Sequence, residues 1–205
     1  MDARRTIAAL FTAATATAGI AASAGVASAA PGTVFNPVVD GGFESTYVLE
    51  DGSPETDTWQ YADNEYGYVA CLKTSDWCGS YRSDIGPNTG TGWALFGDSN
   101  SPTHTSYLSQ TVTVPVGATE LTYYYRNASV DAPYNAILRV KVDGEVVNFH
   151  QEGTAATTDY AKYGAYIGQF ADGEQHVLSF EYDGGSASTS GQDVNIMEID
   201  DVAIG

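Results

Sequence analysis

Beyond residue 30 the polar and apolar positions alternate with a period of two, the side-chain period of a β-strand. Leu108-Ser-Gln-Thr-Val-Thr-Val114 alternates and stops at Pro115, with Val116-Gly117 as the turn. A second strand over 120–127 places Leu121, Tyr123 and Tyr125 on one face and Thr122, Tyr124 and Arg126 on the other. A third, over 136–142, aligns Leu138, Val140 and Val142, and Asp143-Gly144 joins it to a strand over 145–149. An Asp-Gly pair between two alternating runs predicts a hairpin. Asp172-Gly173 makes a similar turn before 175–182, where Leu178, Phe180 and Tyr182 share a face. The last strand is expected over 193–204, and shorter ones at 38–39, 59–61, 69–71 and 93–96. Residues 155–166 are read as at most one turn of helix, because Thr157, Thr158 and Gly164 oppose a longer one. With no helix of ten residues or more, 22 glycines and frequent turn dipeptides, the expected class is all-β: an antiparallel β-sandwich. Residues 183–192 read as a flexible loop between the last two strands.

The first 29 residues break this pattern. Arg4 and Arg5 precede an Ala-, Gly- and Thr-rich stretch, and Ala27-Ser28-Ala29 forms a small-x-small cleavage box. That order of features predicts a secretory signal peptide over 1–29 and a single mature domain over 30–205. The whole chain has 8 basic and 26 acidic residues, a net charge of −18. Removing the segment takes away Asp2, Arg4 and Arg5, leaving 6 basic and 25 acidic residues and a net charge of −19. Such acidity opposes binding to a phosphate backbone or to anionic lipid, so neither nucleic acid nor a membrane is an expected partner. In an oxidising compartment the two cysteines, Cys71 and Cys78, are expected to form a disulfide. A loop of 8 residues closed in this way stabilises by about 2.5 kcal/mol, enough to stiffen one loop around Trp77.

Three stretches then occur in a telling order: Asn36-Pro-Val-Val-Asp-Gly-Gly-Phe-Glu44, Tyr107-Leu-Ser-Gln-Thr-Val-Thr-Val-Pro-Val-Gly-Ala-Thr119, and Ile199-Asp-Asp-Val202. Between the last two lie the Val142-Asp143-Gly144 turn and the run from Phe170 to Tyr182. Together they resemble the galactose-binding-like jelly rolls found as carbohydrate-binding modules in secreted bacterial glycoside hydrolases. The resemblance covers nearly the whole mature chain, although no catalytic domain accompanies it here. It implies a jelly-roll sandwich that binds glycans on a concave face or at loop ends, often with a structural calcium. The same fold also serves adhesion and other roles, so fold alone does not assign function.

Three groups of residues carry candidate chemistry. The resemblance places Glu44 beside Asp200 and Asp201 as calcium ligands. The residues agree in part: Met197 and Ile199 share one parity, and Val202 and Ile204 the other. A bulge at Asp200-Asp201 would explain that switch and bring a carboxylate toward the core. Calcium suits carboxylate and carbonyl oxygens, whereas hydrogen bonds from backbone amides would serve the same carboxylates. The second group is the aromatic segment with Trp59, Tyr61, Tyr66, Tyr68, Trp77 and Tyr81. Its rings suit stacking on sugars and equally suit a sandwich core, with Trp77 the best candidate for exposure. The third is the outward parity of Tyr124, Arg126, Arg139 and Lys141, a cationic and aromatic strip if those strands lie together. His104, His150 and His176 sit on separate elements without metal-ligand spacing, and no nucleophile motif is present.

The expected function is a secreted, monomeric, non-catalytic carbohydrate-binding domain with a structural calcium. A small secreted β-sandwich hydrolase or lyase, or an adhesive extracellular domain, are the alternatives.

Overall fold

The alternating runs pair as antiparallel strands throughout a computed structural model that describes residues 36–78, 85–97, 101, 103–185 and 194–205. The signal segment expected at 1–29 lies outside the described residues. In chain order the strands are β1 (Tyr47–Val48), β2 (Pro54–Glu55), β3 (Gln60–Asp63), β4 (Ala70–Leu72), β5 (Gly92–Gly97) and β6 (Thr105–Thr113). They continue as β7 (Glu120–Ser129), β8 (Ile137–Val142), β9 (Glu145–Gln151), β10 (Ala161–Tyr166), β11 (Gln175–Asp183) and β12 (Ile196–Ile204). One five-stranded sheet has the order β3-β6-β11-β8-β9 and the other β10-β7-β12-β5-β4, while β1 and β2 form a small ribbon.

The inward parity of each sheet fills the space between them. Leu108, Val112, Leu138, Val140, Leu178 and Phe180 meet Phe96, Leu121, Tyr123, Met197 and Ile199, joined by Phe43 and Trp59. β5 is buried along its whole length. Ala94 and Phe96 face this core, whereas Trp93 and Leu95 pack in a smaller cluster with Tyr68, Cys71, Cys78 and Ile196. A strand covered on both sides has no alternation, which is why this segment reads as a continuous apolar run. Cys71 and Cys78 are joined as expected, with Cα atoms 5.6 Å apart.

The bulge in β12 lies where the parity switch placed it. The pairing of β12 with β7 shifts between Asp200 and Ala203, and Asp201 adopts a left-handed φ of 50°. Beyond the bulge Val202 and Ile204 return to the core.

Two expectations are corrected. Residues 155–166 contain no helical turn, and Ala161–Tyr166 is the edge strand β10. Only Ala165 of that strand is buried, so it carries almost no apolar alternation to read. Val38 and Val39 lie in a bend and turn, because the opening segment folds around the end of β12.

Candidate functional site

The outward parity of the β3-β6-β11-β8-β9 sheet forms a continuous lateral row. Ala62 pairs with Tyr107, Tyr107 with Glu181, Glu181 with Arg139, and Arg139 with Phe149. A second row runs Gln60, Ser109, Ser179, Lys141 and Val146. The neighbours Leu108, Phe180 and Leu138 are fully buried on the inner side, so these rows face outward. Lys141 ion-pairs with Glu181, and Arg139 lies 3.7 Å from Asp183. Phe149 is 60% exposed on the edge strand β9. At the other end of the row an open cleft of about 420 Å³ is lined by Asn64, Tyr107, Arg139, Glu181 and Asp183.

The cleft wall is fixed by a buried polar group. Asp63 Oδ2 accepts hydrogen bonds from His104 Nε2 at 2.8 Å and Ser106 Oγ at 2.5 Å. Its Oδ1 accepts from the amides of Glu65 at 2.9 Å and Tyr66 at 2.7 Å. Burial alone would raise the Asp63 pKa, but these four donors outweigh it and hold the carboxyl down to about 2. The residue types are those of a nucleophile triad, and the geometry is not. A triad presents opposite ring nitrogens to Ser and Asp, whereas here both meet His104 Nε2. This group positions the Asp63-Asn64 turn, where Asn64 is tied to Thr103 and to Thr105 at the start of β6.

The predicted aromatic residues are dispersed. Trp59 is 3% exposed, stacks on Phe43 at 5.3 Å and donates its indole N–H to the Asp40 carbonyl, so it belongs to the core. Tyr61 is half-buried, packs against the core and donates its hydroxyl to Glu55 at 2.6 Å. Trp77 is 46% exposed, as expected, with its indole N–H donated to the Asp51 carbonyl and its ring edge-on to Tyr68. Tyr81 lies outside the described residues.

The expected strip of Tyr124, Arg126, Arg139 and Lys141 is split between the two sheets. Strand β7 pairs with β10 and β12, not with β8, because the chain crosses from one sheet to the other between them. Equal parity therefore puts Arg126 and Arg139 on opposite outer faces. Arg126 donates to Glu198 at 2.5 Å and to the Thr158 and Gly86 carbonyls, with its guanidinium 4.8 Å from the Tyr160 ring centre. Tyr124, also on β7, is half-buried and pairs in register with Asp200. The residues that complete the open face, Tyr107, Phe149 and Glu181, were visible only as outward positions. Strand pairing is what brings them to Arg139.

The opening and closing segments do lie side by side. Val202 donates its amide to Gly41 at 2.9 Å, and a Cβ on Gly41 would sit 2.0 Å from the Val202 carbonyl oxygen. A Cβ on Gly42 would lie within 4 Å of the side chains of Glu44, Asp200 and Asp201. Glu44 accepts from the amides of Thr91 and Gly92 and from the Thr91 hydroxyl, and these bonds outweigh burial and lower its pKa. Asp200 accepts from the amides of Asn88, Thr89 and Asp201, and Asp201 from the side chains of Asn88 and Thr89. Burial and the Asp201 charge nonetheless push Asp200 up to about 7. No Lys or Arg pairs with these three carboxylates among the described residues, and no group of three or more Asp, Glu, His or Cys is arranged there as a metal-ligand set. The all-oxygen donors, and the lack of a cationic partner among the described residues, fit a hard cation in chemistry.

No protein-family model matches the chain, and no curated protein matches it. Solved structures do. The TmCBM61 carbohydrate-binding module, solved with β-1,4-galactotriose, is 14% identical over 83% of this chain and 98% of its own, with a TM-score of 0.52. The K3 cleaved adhesin domain of Lys-gingipain from Porphyromonas gingivalis is 14% identical over 84% and 98%, with a TM-score of 0.53. A cyclase from Fischerella sp. TAU, solved with 4-(1H-indol-3-yl)butan-2-one, is 12% identical over 83% and 96%, with a TM-score of 0.50. The chain has the fold these domains share, a jelly-roll β-sandwich of two antiparallel sheets.

Proposed function

We propose that this domain binds a glycan without transforming it, on the outer face of the β3-β6-β11-β8-β9 sheet. The observation that carries this reading is the row Tyr107, Glu181, Arg139 and Phe149, which sets aromatic rings at its ends and charged hydrogen-bonding groups between them. Sugars offer flat C–H faces to rings and hydroxyls to fixed polar groups, and preorganised polar groups in a concave site supply orientation. The TmCBM61 neighbour, bound to a galactotriose, supports the same reading. Of the residues singled out from sequence, Arg139 lies in this site and Trp77 stands exposed elsewhere. The test is affinity electrophoresis through neutral and acidic polysaccharides. Retention by at least one, lost in Tyr107→Ala and Arg139→Ala at unchanged thermal midpoint, is the expected result.

The gingipain neighbour favours adhesion as the second reading. Adhesion through protein would show as binding to host-type proteins with no glycan retained.

Two further properties belong to the proposal. The protein is exported, which the signal-like leader and the disulfide support. No helix among the described residues is long and apolar enough to cross a membrane. Glu44, Asp200 and Asp201 hold a structural calcium, a reading supported by the nearness of their side chains around Gly42 and by the lack of a Lys or Arg partner for them among the described residues. At a calcium concentration one hundredfold above its Kd the ion adds about 2.7 kcal/mol, so a chelator lowers the thermal midpoint. Asp201→Ala should remove that difference, and a wild-type midpoint indifferent to chelator would contradict the ion.

A further inference from the structure

Resting on the glycan reading above, we infer that the ligand is an internal stretch of a linear, uncharged polysaccharide lying across the strands, from Tyr107 on β6 to Phe149 on β9. The register is unbroken along this line: each residue of the row is the direct cross-strand partner of the next. Three strand spacings separate Tyr107 from Phe149, about 14 Å. A single sugar cannot touch both rings, and an oligosaccharide can.

Among the described residues, both ends of the row are exposed. Ala62 is exposed on one edge strand and Phe149 on the other. A site that captured a chain end would need a wall there. This one lets the polymer run past both edges of the sheet.

Charge selects the polymer class. The cations of the face are already matched, Lys141 by Glu181 and Arg139 by Asp183, and they surround a protein of net charge −18. A uronate or sulfated chain would meet long-range repulsion and would have to displace an existing ion pair. Neutral hydroxyls, by contrast, hydrogen-bond to both members of each pair while leaving it intact. Paired side chains also hold their heads still, which lowers the ordering entropy that binding must overcome.

The experiment first asks which of β-1,4-galactan, xylan, mannan, glucan, pectate and alginate retards the full-length protein in affinity electrophoresis. Oligosaccharides of the retained polymer, from disaccharide to hexasaccharide, are then titrated calorimetrically into wild type, Phe149→Ala and Tyr107→Ala. Affinity is expected to rise about tenfold or more along the series. Phe149→Ala, an exposed ring that leaves no cavity, should flatten that rise by costing the hexasaccharide far more affinity than the disaccharide, whereas Tyr107→Ala weakens every length. Length-independent affinity, or a rise that survives in Phe149→Ala, overturns this inference and leaves glycan binding standing. Retention by pectate or alginate above the neutral polymers overturns the charge argument. Retention by none overturns the glycan reading itself.

Discussion

Arg126 on β7 and Arg139 on β8 occupy the same outward parity in neighbouring strands of the sequence, yet one is locked and the other open. Around Arg126 the outer face is roofed. The segment from Gly86 to Gly92 and the Tyr160 ring lie over β7 and β12, where Glu198 accepts from Arg126 and the Gly86 amide and Asp200 from Asn88 and Thr89. Glu198 and Asp200 are fully buried beneath them. Around Arg139 the cations are paired with Asp183 and Glu181, and these groups remain part-exposed beside a cleft. The local code is the same, and the difference is whether a later segment returns to satisfy it. Charged groups on the roofed face hold the fold, and those on the open face remain available to a ligand.

The strongest way to break this contrast is to truncate one acid on each face. Glu198→Ala strands the Arg126 guanidinium and the Gly86 amide in a buried site, and should lower unfolding free energy by about 3–5 kcal/mol in urea. Glu181→Ala on the open face should change it by about 1 kcal/mol or less, the worth of an exposed pair. Equal losses would mean the two faces do not differ as described.

A smaller effect sharpens the electrostatics. Protonated His176 donates from Nε2 to Asp172 at 3.0 Å and from Nδ1 to Asp143 at 2.7 Å, and these two hydrogen bonds raise its pKa above the ordinary histidine value. A raised histidine stabilises fully below its unfolded pKa of about 6.5, and that contribution fades as pH rises through the folded value. The thermal midpoint of wild type relative to His176→Gln should therefore decline on going from about pH 6 to about pH 8. The decline should shrink in high salt, because both acids are solvent-exposed. A wild-type advantage that grows with pH contradicts this clamp.

Much of the sandwich was legible in residue order. Strands β6, β7, β8, β11 and β12 follow from alternation because apolar residues line mainly one face, even in β12, whose other face buries the polar Glu198 and Asp200. Strand β9 follows from the Asp143-Gly144 turn. The bulge at Asp200-Asp201 follows because Val202 and Ile204 must recover the core after Ile199. Strand β10 was not legible, since an edge strand of Ala, Lys, Gly and exposed Tyr with one buried residue carries no apolar alternation. Trp77 was legible as a surface ring because it sits in a short polar disulfide loop, whereas Trp59 read equally as core or ligand ring until the packing of Phe43 against it placed it in the core. The candidate site was legible least. Parity identifies outward residues but not which sheet they join, so Arg126 was grouped with Arg139 while Tyr107, Glu181 and Phe149 were left apart.

The central claim is that the open face, not the roofed one, binds glycan, and one calorimetric titration tests it: wild type, Tyr107→Ala and Tyr124→Ala against the same retained oligosaccharide. The open-face variant should lose about tenfold or more in affinity, equivalent to about 1.4 kcal/mol or more, while Tyr124→Ala binds as wild type. Undiminished binding in Tyr107→Ala together with a loss in Tyr124→Ala would contradict the account.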